Sequence, residues 1–454
     1  MTTPARIADA VTAVLLHDGE IFVVRRTRDL AAFPGYTAFP GGKVDPGDSD
    51  ARLEGGSFAE HPPRLIRALA RELQEELGFN FLQAYRQRQI KSIQSLGQAT
   101  TPAFAPLRFR TWFFLIRLTQ RPKFELDTRE AEAGEWASAK QLVNSYQQGQ
   151  RLMVPPTLEV LKKLATTPNA RRVQSLEFEF DADSEIPCVE PLHGLKIFLV
   201  RSNTLPPAAH TNCFLFGDPG SPQVLVDPSP CNEAEYQRLL DTVRPLRPDL
   251  IFLTHHHHDH RERADRLARD LGIPMMMSAD TRTRIAQRQS AEFFKGIKLQ
   301  LAEDGSEVSR WLGKAVTALA VPGHDQGQLA LLPSCRSWCI VGDLIQGIGT
   351  VVIAPPEGDM AAYFESLRKV IKLDPAVVIP SHGPALGSSY RIRTALQHRE
   401  QREADVRQAW IEGCTETEML QRLYADIDPR LLPLARININ GHLKKLKDEG
   451  RLPA

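Results

Sequence analysis

No stretch of this chain approaches the roughly 18 uninterrupted apolar residues of a membrane-spanning helix, and its start, MTTPARIADAV, lacks the charged-then-apolar succession of a secretory signal. A soluble, cytoplasmic protein with no membrane partner is expected. Cysteine is sparse. Cys188, Cys213, Cys231, Cys335, Cys339 and Cys414 are scattered without a CxxC pair, which excludes a disulfide framework and leaves free thiols. Charge of one sign is also lacking: 56 basic side chains face 55 acidic ones, for a net charge of +1. Bulk electrostatics therefore demands no polyanionic partner, and any nucleic-acid surface must be local. Internal repeats are absent, and so is low complexity apart from one histidine run. At 454 residues the chain has room for about three domains.

The histidine run carries the strongest chemical signal. Thr254 to His260 reads THHHHDH and directly follows the apolar Leu250, Ile251, Phe252 and Leu253. A surface tract or a tag would not sit mid-chain between a strand-like segment and a helix-like one, Glu262 to Leu271. Spaced as HxHxDH, the run offers His255 and His257 to one metal ion and Asp259 and His260 to a second; imidazole and carboxylate suit zinc-type ions. His256 and His258 are then spacers pointing elsewhere. Three later landmarks each end a strand-like stretch: His324 in VPGHD, Asp343 in VGDL and His382 in VVIPSHGP. Sheet proteins gather ligands from distant parts of the chain onto such an edge.

This order of residues resembles the metallo-β-lactamase fold, over about residues 186 to 395. The resemblance implies an αββα sandwich in which His255, His257 and His324 hold one metal, Asp259, His260 and His382 the other, and Asp343 bridges them. The implied cofactors are two zinc or manganese ions. Asp227, which closes the strand-like VLVD, is either a buttress of the histidine loop or a plain strand-end turn residue. Two adjacent cations lower the pKa of a shared water and stabilise oxyanion charge, so a hydrolase is expected, with Asp259 in its catalytic machinery. The likeness continues through GTVVIAPPEGDMAAYFESL, the HGP stretch and LQHREQREADV to a subgroup of single-strand-specific endoribonucleases. The same subgroup resembles polyketide-releasing thioesterases, so phosphodiester and thioester or ester hydrolysis both stay open.

A second signature lies near the N-terminus, where AFPGGKVDPGD is followed, after an insertion, by LIRALARELQEELGF. In a helix Leu65, Leu69 and Leu73 form a buried face, while Glu72, Glu75 and Glu76 fall at i, i+3 and i+4 on another. Three carboxylates converging on one spot repel one another unless cations neutralise them, and all-oxygen ligands favour magnesium or manganese. A solvated acidic helix face has the same spacing. Gly78 stops the helix. FPGG followed by REUxEExGU, with U aliphatic, resembles the Nudix box, over about residues 8 to 165. The resemblance implies an α/β/α sandwich that hydrolyses a diphosphate linkage. Glu72, Glu75 and Glu76 would bind the ions, Arg71 would orient the glutamates, and Gly41 and Gly42 would lie beside substrate.

Here the chain departs from the family pattern. Residues 49–70, 22 of them, separate Asp48 from Arg71 where the family has seven, and Asp48 replaces a glutamate. An expanded box resembles the coenzyme A diphosphatases, whose upstream signature Arg26, Gly35 and Phe39 match; Ala31 stands where that signature has a phosphate-pairing arginine. The expected ligand is a nucleotide-diphosphate-type small molecule, with coenzyme A and its esters among the candidates. It is either hydrolysed or bound by a sensing module that regulates its neighbour. Glu132 and Glu135 are not expected to add a catalytic acid.

Residues 169–186 lose apolar periodicity and read as a connector with room for an edge strand in LEFEF. The resulting map is a multi-domain α/β chain: a Nudix domain over 1–168, a metallo-β-lactamase domain over 187–395 and a small helical domain over 396–454. In the last helix Ala435, Ile439, Leu443 and Leu446 make an apolar stripe and Arg436, Asn440, Lys444 and Lys447 a polar one. The helix order resembles the winged-helix-like tail of the same endoribonucleases, which implies that the polar stripe helps hold single-stranded RNA. Basic helix faces are often only solvated, and no aromatic platform accompanies this one: Tyr424, the nearest, reads as core.

Overall fold

The computed structural model describes residues 7–30, 32–49, 60–102, 108–177, 180–181, 184–428 and 431–452. Ala31, and Phe178 and Glu179 of the LEFEF segment, lie outside the described residues. The chain divides into two compact units, Met1–His193 and Gly194–Ala454.

In the first unit a six-stranded mixed sheet runs Thr37–Ala38, Glu20–Arg26, Ile7–His17, Arg108–Leu118, Ile90–Thr100, with Ala131–Ser138 also paired to Glu20–Arg26. Side chains along its central strands alternate between two cores. Val11, Ala13, Leu15, Phe22, Val24, Phe114 and Ile116 pack with Leu65, Leu69 and Leu73 of helix Pro63–Leu77. Val14, Ile21, Val23, Phe113 and Leu115 go to the other face, with Leu142 of helix Ala139–Gln147 and Leu161 of helix Pro155–Thr166. A sheet apolar on both faces needs helices on both, and the product is the expected α/β/α sandwich. Helix Pro63–Leu77 begins with proline, which lacks the N–H that would be unpaired there, and ends at Gly78, whose left-handed φ of 62° lets its N–H cap Gln74. The connector expectation needs correcting. Ala170, Val173 and Leu176 are buried in this unit's core, and Gln174–Leu176 is a 3-10 turn packed against helix Pro155–Thr166 and strand Ile90–Thr100.

The second unit contains two sheets. One runs Leu299–Leu301, Met275–Met277, Leu250–Phe252, Val224–Val226, His210–Phe216, Leu195–Arg201, parallel through the first four strands and antiparallel thereafter. The other runs Glu307–Trp311, Lys314–Ala320, Leu329–Pro333, Cys339–Gly342, Val378–Pro380, antiparallel except for the last pair. Val224–Val226 and Leu250–Phe252 are buried at every residue, as parallel strands covered on both faces must be. Helices Glu233–Val243 and Ala264–Leu271 contact the first sheet, and Met360–Leu373 packs its Tyr363, Phe364 and Leu367 on the second, giving an αββα sandwich. The helix expected over 262–271 is interrupted: a short turn, His258–Arg261, is followed by Arg263 at φ 60° before Ala264–Leu271 begins. The break lets one segment face the site while Leu267 and Ala268 turn into the core.

The tail comprises helices Tyr390–Ile411, Glu416–Leu423 and Leu432–Asp448 around Val406, Ala409, Met419, Leu420 and the expected stripe Ala435, Ile439, Leu443 and Leu446. The boundary expected between 395 and 396 falls inside helix Tyr390–Ile411. Its Ile392 belongs to the core of the second sheet and its Val406 and Ala409 to that of the tail, so one rigid element serves both.

Candidate metal centre

The site begins where two parallel strands end side by side, Val226 opposite Phe252. Asp227, fully buried, turns back at φ 49°. Its Oδ1 accepts the Thr254 N–H at 2.8 Å, and its Oδ2 accepts the Thr254 hydroxyl at 2.6 Å and the His260 Nδ1–H at 2.9 Å. The buttress reading of Asp227, rather than the turn reading, matches this geometry.

Each imidazole of the site is turned by an outer partner. The Thr254 hydroxyl, having donated to Asp227, accepts from His255 Nδ1 at 3.0 Å. His324 Nδ1 donates to Val352 O at 2.9 Å, and His382 Nδ1 to His210 O at 2.9 Å. His257 is reversed, its Nε2 facing Glu357 Oε2 at 3.3 Å. With one ring nitrogen protonated and engaged outward, the other presents a lone pair inward. Those inward nitrogens form two groups. His257 Nδ1 lies 3.0 Å from His255 Nε2 and 2.9 Å from His324 Nε2, while ligand atoms of Asp259, His260 and His382 fall within 4.8 Å of one another. Asp343 reaches both: its Oδ1 is 3.4 Å from His382 Nε2 and its Oδ2 is 3.7 Å from His324 Nε2.

These residues fit a pair of cations. His260 Nε2, His382 Nε2 and Asp343 Oδ1 are buried without hydrogen-bond partners, an arrangement rare unless something else satisfies them. Burial and the neighbouring rings hold His255 far below the ordinary histidine range, and burial with His257 takes His324 down to about 4, so both are neutral ligands. Burial acts on His260 in the same direction, but Asp259 and Asp343 outweigh it and hold its pKa well above the ordinary value. Burial would raise Asp343; His382 and His260 outweigh it and hold it well below. The imidazoles and carboxylates thus stand ready to exchange protons for metal.

His256 is in neither of these two groups, yet it is more than a spacer: its ring lies 4.7 Å from that of His257, and the two with Asp325 offer ligand atoms within 4.8 Å of one another. Fully buried, it pairs through Nδ1 with the buried Asp325, and its carbonyl accepts Arg261 Nε at 2.6 Å. Sequence reasoning missed Asp325 and Glu357; the only available signal for Asp325 was an acid directly after a ligand histidine. His258 is exposed and pairs with Glu262 at 3.0 Å.

In the first unit the three glutamates line one helix, where Glu72 and Glu75 meet on one nitrogen of Arg71 and Glu76 turns to a separate partner. The Arg71 guanidinium lies between them, binding Glu72 at 2.9 Å and Glu75 at 3.1 Å, and also Asp48 at 3.0 Å and Lys43 O at 2.8 Å. Glu76 turns inward, where its Oε2 accepts the Gly41 N–H at 3.0 Å, and burial pushes its pKa up to about 8. Burial also raises Glu72. Gly41 is required by closeness, since a Cβ there would lie 2.2 Å from Val11 O, whereas a Cβ on Gly42 would lie 2.5 Å from the Glu72 carboxylate and displace that side chain. Asp48, despite its shorter reach, still pairs with Arg71. Glu132 pairs with Arg25 and Arg28, and Glu135 with Arg151. Arg26 donates through Nε to Ala32 O at 3.3 Å.

On the tail helix Arg436, Asn440, Lys444 and Lys447 are all exposed. Arg436 pairs with Glu416 at 2.9 Å, Lys444 with Asp448 at 2.5 Å, and Lys447 lies 4.9 Å over the Trp410 ring. Tyr424 packs against the tail core.

Residues 206–382 match the family described as Metallo-beta-lactamase superfamily, and residues 415–452 the Beta-lactamase associated winged helix domain. The chain is similar to the Beta-lactamase-like protein 2 homolog of Drosophila melanogaster, 28% identical over 264 residues, which cover 53% of this chain and 84% of that one. A Beta-lactamase domain protein from Burkholderia ambifaria is similar in structure, with a TM-score of 0.50 and 20% identity over 60% of this chain and 91% of that one. A NUDIX hydrolase from Alicyclobacillus acidocaldarius is 27% identical over 37% of this chain and 95% of that one, with a TM-score of 0.31. The second unit thus carries a metallo-β-lactamase domain, the fold of a hydrolase dependent on divalent metal ions, followed by a winged-helix domain.

Proposed function

We propose that this chain joins two hydrolases: a dinuclear-zinc or manganese phosphodiesterase that cuts single-stranded RNA, and a Nudix-type diphosphatase dependent on magnesium or manganese. The observation that carries the first is the set of five imidazoles, each engaged outward through one ring nitrogen so that the other faces the cluster around Asp343. Two divalent cations bound there would bring a shared water into the neutral pH range and favour developing oxyanion charge. The chain's own residues supply the rest. Asp227 and Thr254 keep His255 and His260 in the ligating tautomer. Asp259 is the most accessible acid among the ligands, its side chain 19% exposed against 7% for Asp343, and is the group to orient water and take its proton.

RNA is favoured over a thioester because the tail offers Lys444, Lys447, Arg436 and Asn440 on an exposed face. Phosphate contacts of this kind bind without reading sequence and weaken with salt. In the first unit, the Gly41–Glu76 hydrogen bond, the close fit of Gly42 to Glu72 and the bracing by Arg71 support a site for a nucleoside-diphosphate-type compound, coenzyme A included.

Labelled single-stranded RNA and an acyl-thioester panel, each with zinc or manganese, test the first assignment beside Asp259→Asn. RNA cleavage lost in that variant is expected; intact RNA with hydrolysed thioester would move the domain to acyl chemistry. Magnesium-dependent hydrolysis across nucleotides and coenzyme A, abolished in Glu75→Gln, tests the second. Binding without turnover would make the first unit a sensor of that ligand.

A further inference from the structure

His324 owes its orientation to one carbonyl, that of Val352. The same planar peptide group carries the Ile353 N–H, which donates to Asn438 Oδ1 at 3.4 Å from the tail helix Leu432–Asp448. A trans peptide is rigid, so whatever holds its N–H also aims its C=O. One residue earlier, Val351 O accepts from the buried Arg399 guanidinium on helix Tyr390–Ile411, and that guanidinium lies 5.6 Å from the Tyr363 ring centroid. Val351 and Ile353 are themselves buried in the second-sheet core.

The far end of this segment is tied to the site as well. Asp359 N–H donates to Gly323 O at 2.8 Å, directly before His324, and a Cβ on Gly323 would lie 2.3 Å from Tyr363 Cα. Between the two ends, Glu357 faces His257 Nε2 and is paired with Arg288. One strap, residues 351–359, therefore directs two of the three nitrogens of the first ligand group. Two buried polar side chains grip it from elements of the tail.

Resting on the dinuclear-metal reading above, we propose that Arg399 and Asn438 are positioning residues for the first metal site. Through the 351–353 backbone they fix the carbonyl that sets the tautomer and tilt of His324, so the winged-helix domain tunes metal affinity in addition to contacting substrate. Neither side chain touches a ligand atom. Their effect must pass through Val352 O, and so it should fall on the first site and spare the second.

Zinc affinities of the full chain, measured at both sites by competition with a chromogenic chelator, test this in Arg399→Gln and Asn438→Leu. Removing an outer partner of a ligating histidine typically costs 10–100-fold in affinity; acting one step further out, each variant should lose roughly 5- to 10-fold at the first site. Asn438→Asp keeps the acceptor and should stay near wild type. Leu446→Ala, which opens the tail core without touching the strap, controls for loss of tail stability: it should lower the melting temperature and leave zinc affinity unchanged. Wild-type affinity in both Arg399→Gln and Asn438→Leu would overturn the proposal, as would an equal loss in Leu446→Ala. A wild-type chain that bound no divalent ion would instead remove the metal reading on which the proposal rests.

Discussion

Asp227→Asn is the sharpest perturbation of the metal centre, because it changes one atom and leaves the backbone at ease. The residue sits at φ 49°, a region asparagine tolerates about as well as aspartate, so no strain is introduced. The carboxylate takes three donors: the Thr254 N–H, the Thr254 hydroxyl and the His260 Nδ1–H. An amide offers one oxygen and two N–H groups. If its oxygen keeps the Thr254 N–H, the amide nitrogen faces His260 Nδ1, which can meet it only by giving up its proton. The proton then moves to Nε2, and the lone pair that faces Asp343 and His382 is lost. If the amide is turned the other way, the Thr254 N–H is left buried and unpaired, at a cost of about 1–3 kcal/mol. The first outcome should lower second-site zinc affinity about 10- to 100-fold, the usual effect of losing a carboxylate behind a ligating histidine, equivalent to about 1.4–2.7 kcal/mol. Chelator competition and denaturant unfolding of wild type and variant would measure both quantities. A variant that binds two zinc ions with wild-type affinities and unfolds at the same denaturant concentration would refute the tautomer argument.

Further outcomes are expected at Gly42, Glu76 and Glu403. Gly42→Ala should displace the Glu72 carboxylate, which a Cβ would approach to 2.5 Å, abolishing magnesium-dependent diphosphate hydrolysis while zinc-dependent hydrolysis continues. Burial raises Glu76 to about 8; because its folded pKa lies above its unfolded one, its contribution to the stability of the first unit should be complete below about pH 4.5 and be lost as the pH rises through 8. Magnesium should restore the loss and Glu76→Gln should erase it, as melting curves across pH would show. In the tail, burial opposes ionisation of Glu403, but His442, Lys445 and Arg451 hold its pKa down to about 2. Its folded pKa lies below its unfolded one, so its contribution is complete above about pH 4.5 and disappears as the pH falls through 2. Glu403→Gln should remove that acid sensitivity and cost about 3 kcal/mol, because the buried Lys445 would keep only one of its two carboxylate partners, Glu449; acid titration of tail helicity by circular dichroism reads both effects.

Much of the candidate site was legible because ligand spacing is local. HxHxDH directly follows the strand-like Leu250 to Leu253, and His324, Asp343 and His382 each end a recognisable apolar run. The box helix was equally plain, since Leu65, Leu69 and Leu73 mark its buried side. Other features could not be read this way. Glu357 lies 100 positions from the His257 it faces, and Asp227 lies 33 from His260; no periodicity links residues so far apart. Of the three glutamates expected to converge, Glu72 and Glu75 meet on Arg71, supplied by the same helix, while Glu76 is taken by the Gly41 N–H, a partner from a distant loop. The connector and the boundary at 396 were misplaced because a loss of apolar rhythm does not show which core will take up Val173, Leu176 or Ile392.

By itself, then, the sequence determined which ligand atoms the chain can offer: residue types and short spacings fix the kinds of donor available and the elements that carry them. Only the tertiary structure decided how those donors are armed. Which ring nitrogen faces inward depends on a carbonyl, a threonine hydroxyl or a carboxylate delivered from another strand or loop. The strap that aims His324 is likewise held by side chains from the tail, Arg399 and Asn438. Hydrogen bonds of this kind act over about 3 Å in space but across tens to a hundred residues of chain, a separation that packing closes and sequence order does not record.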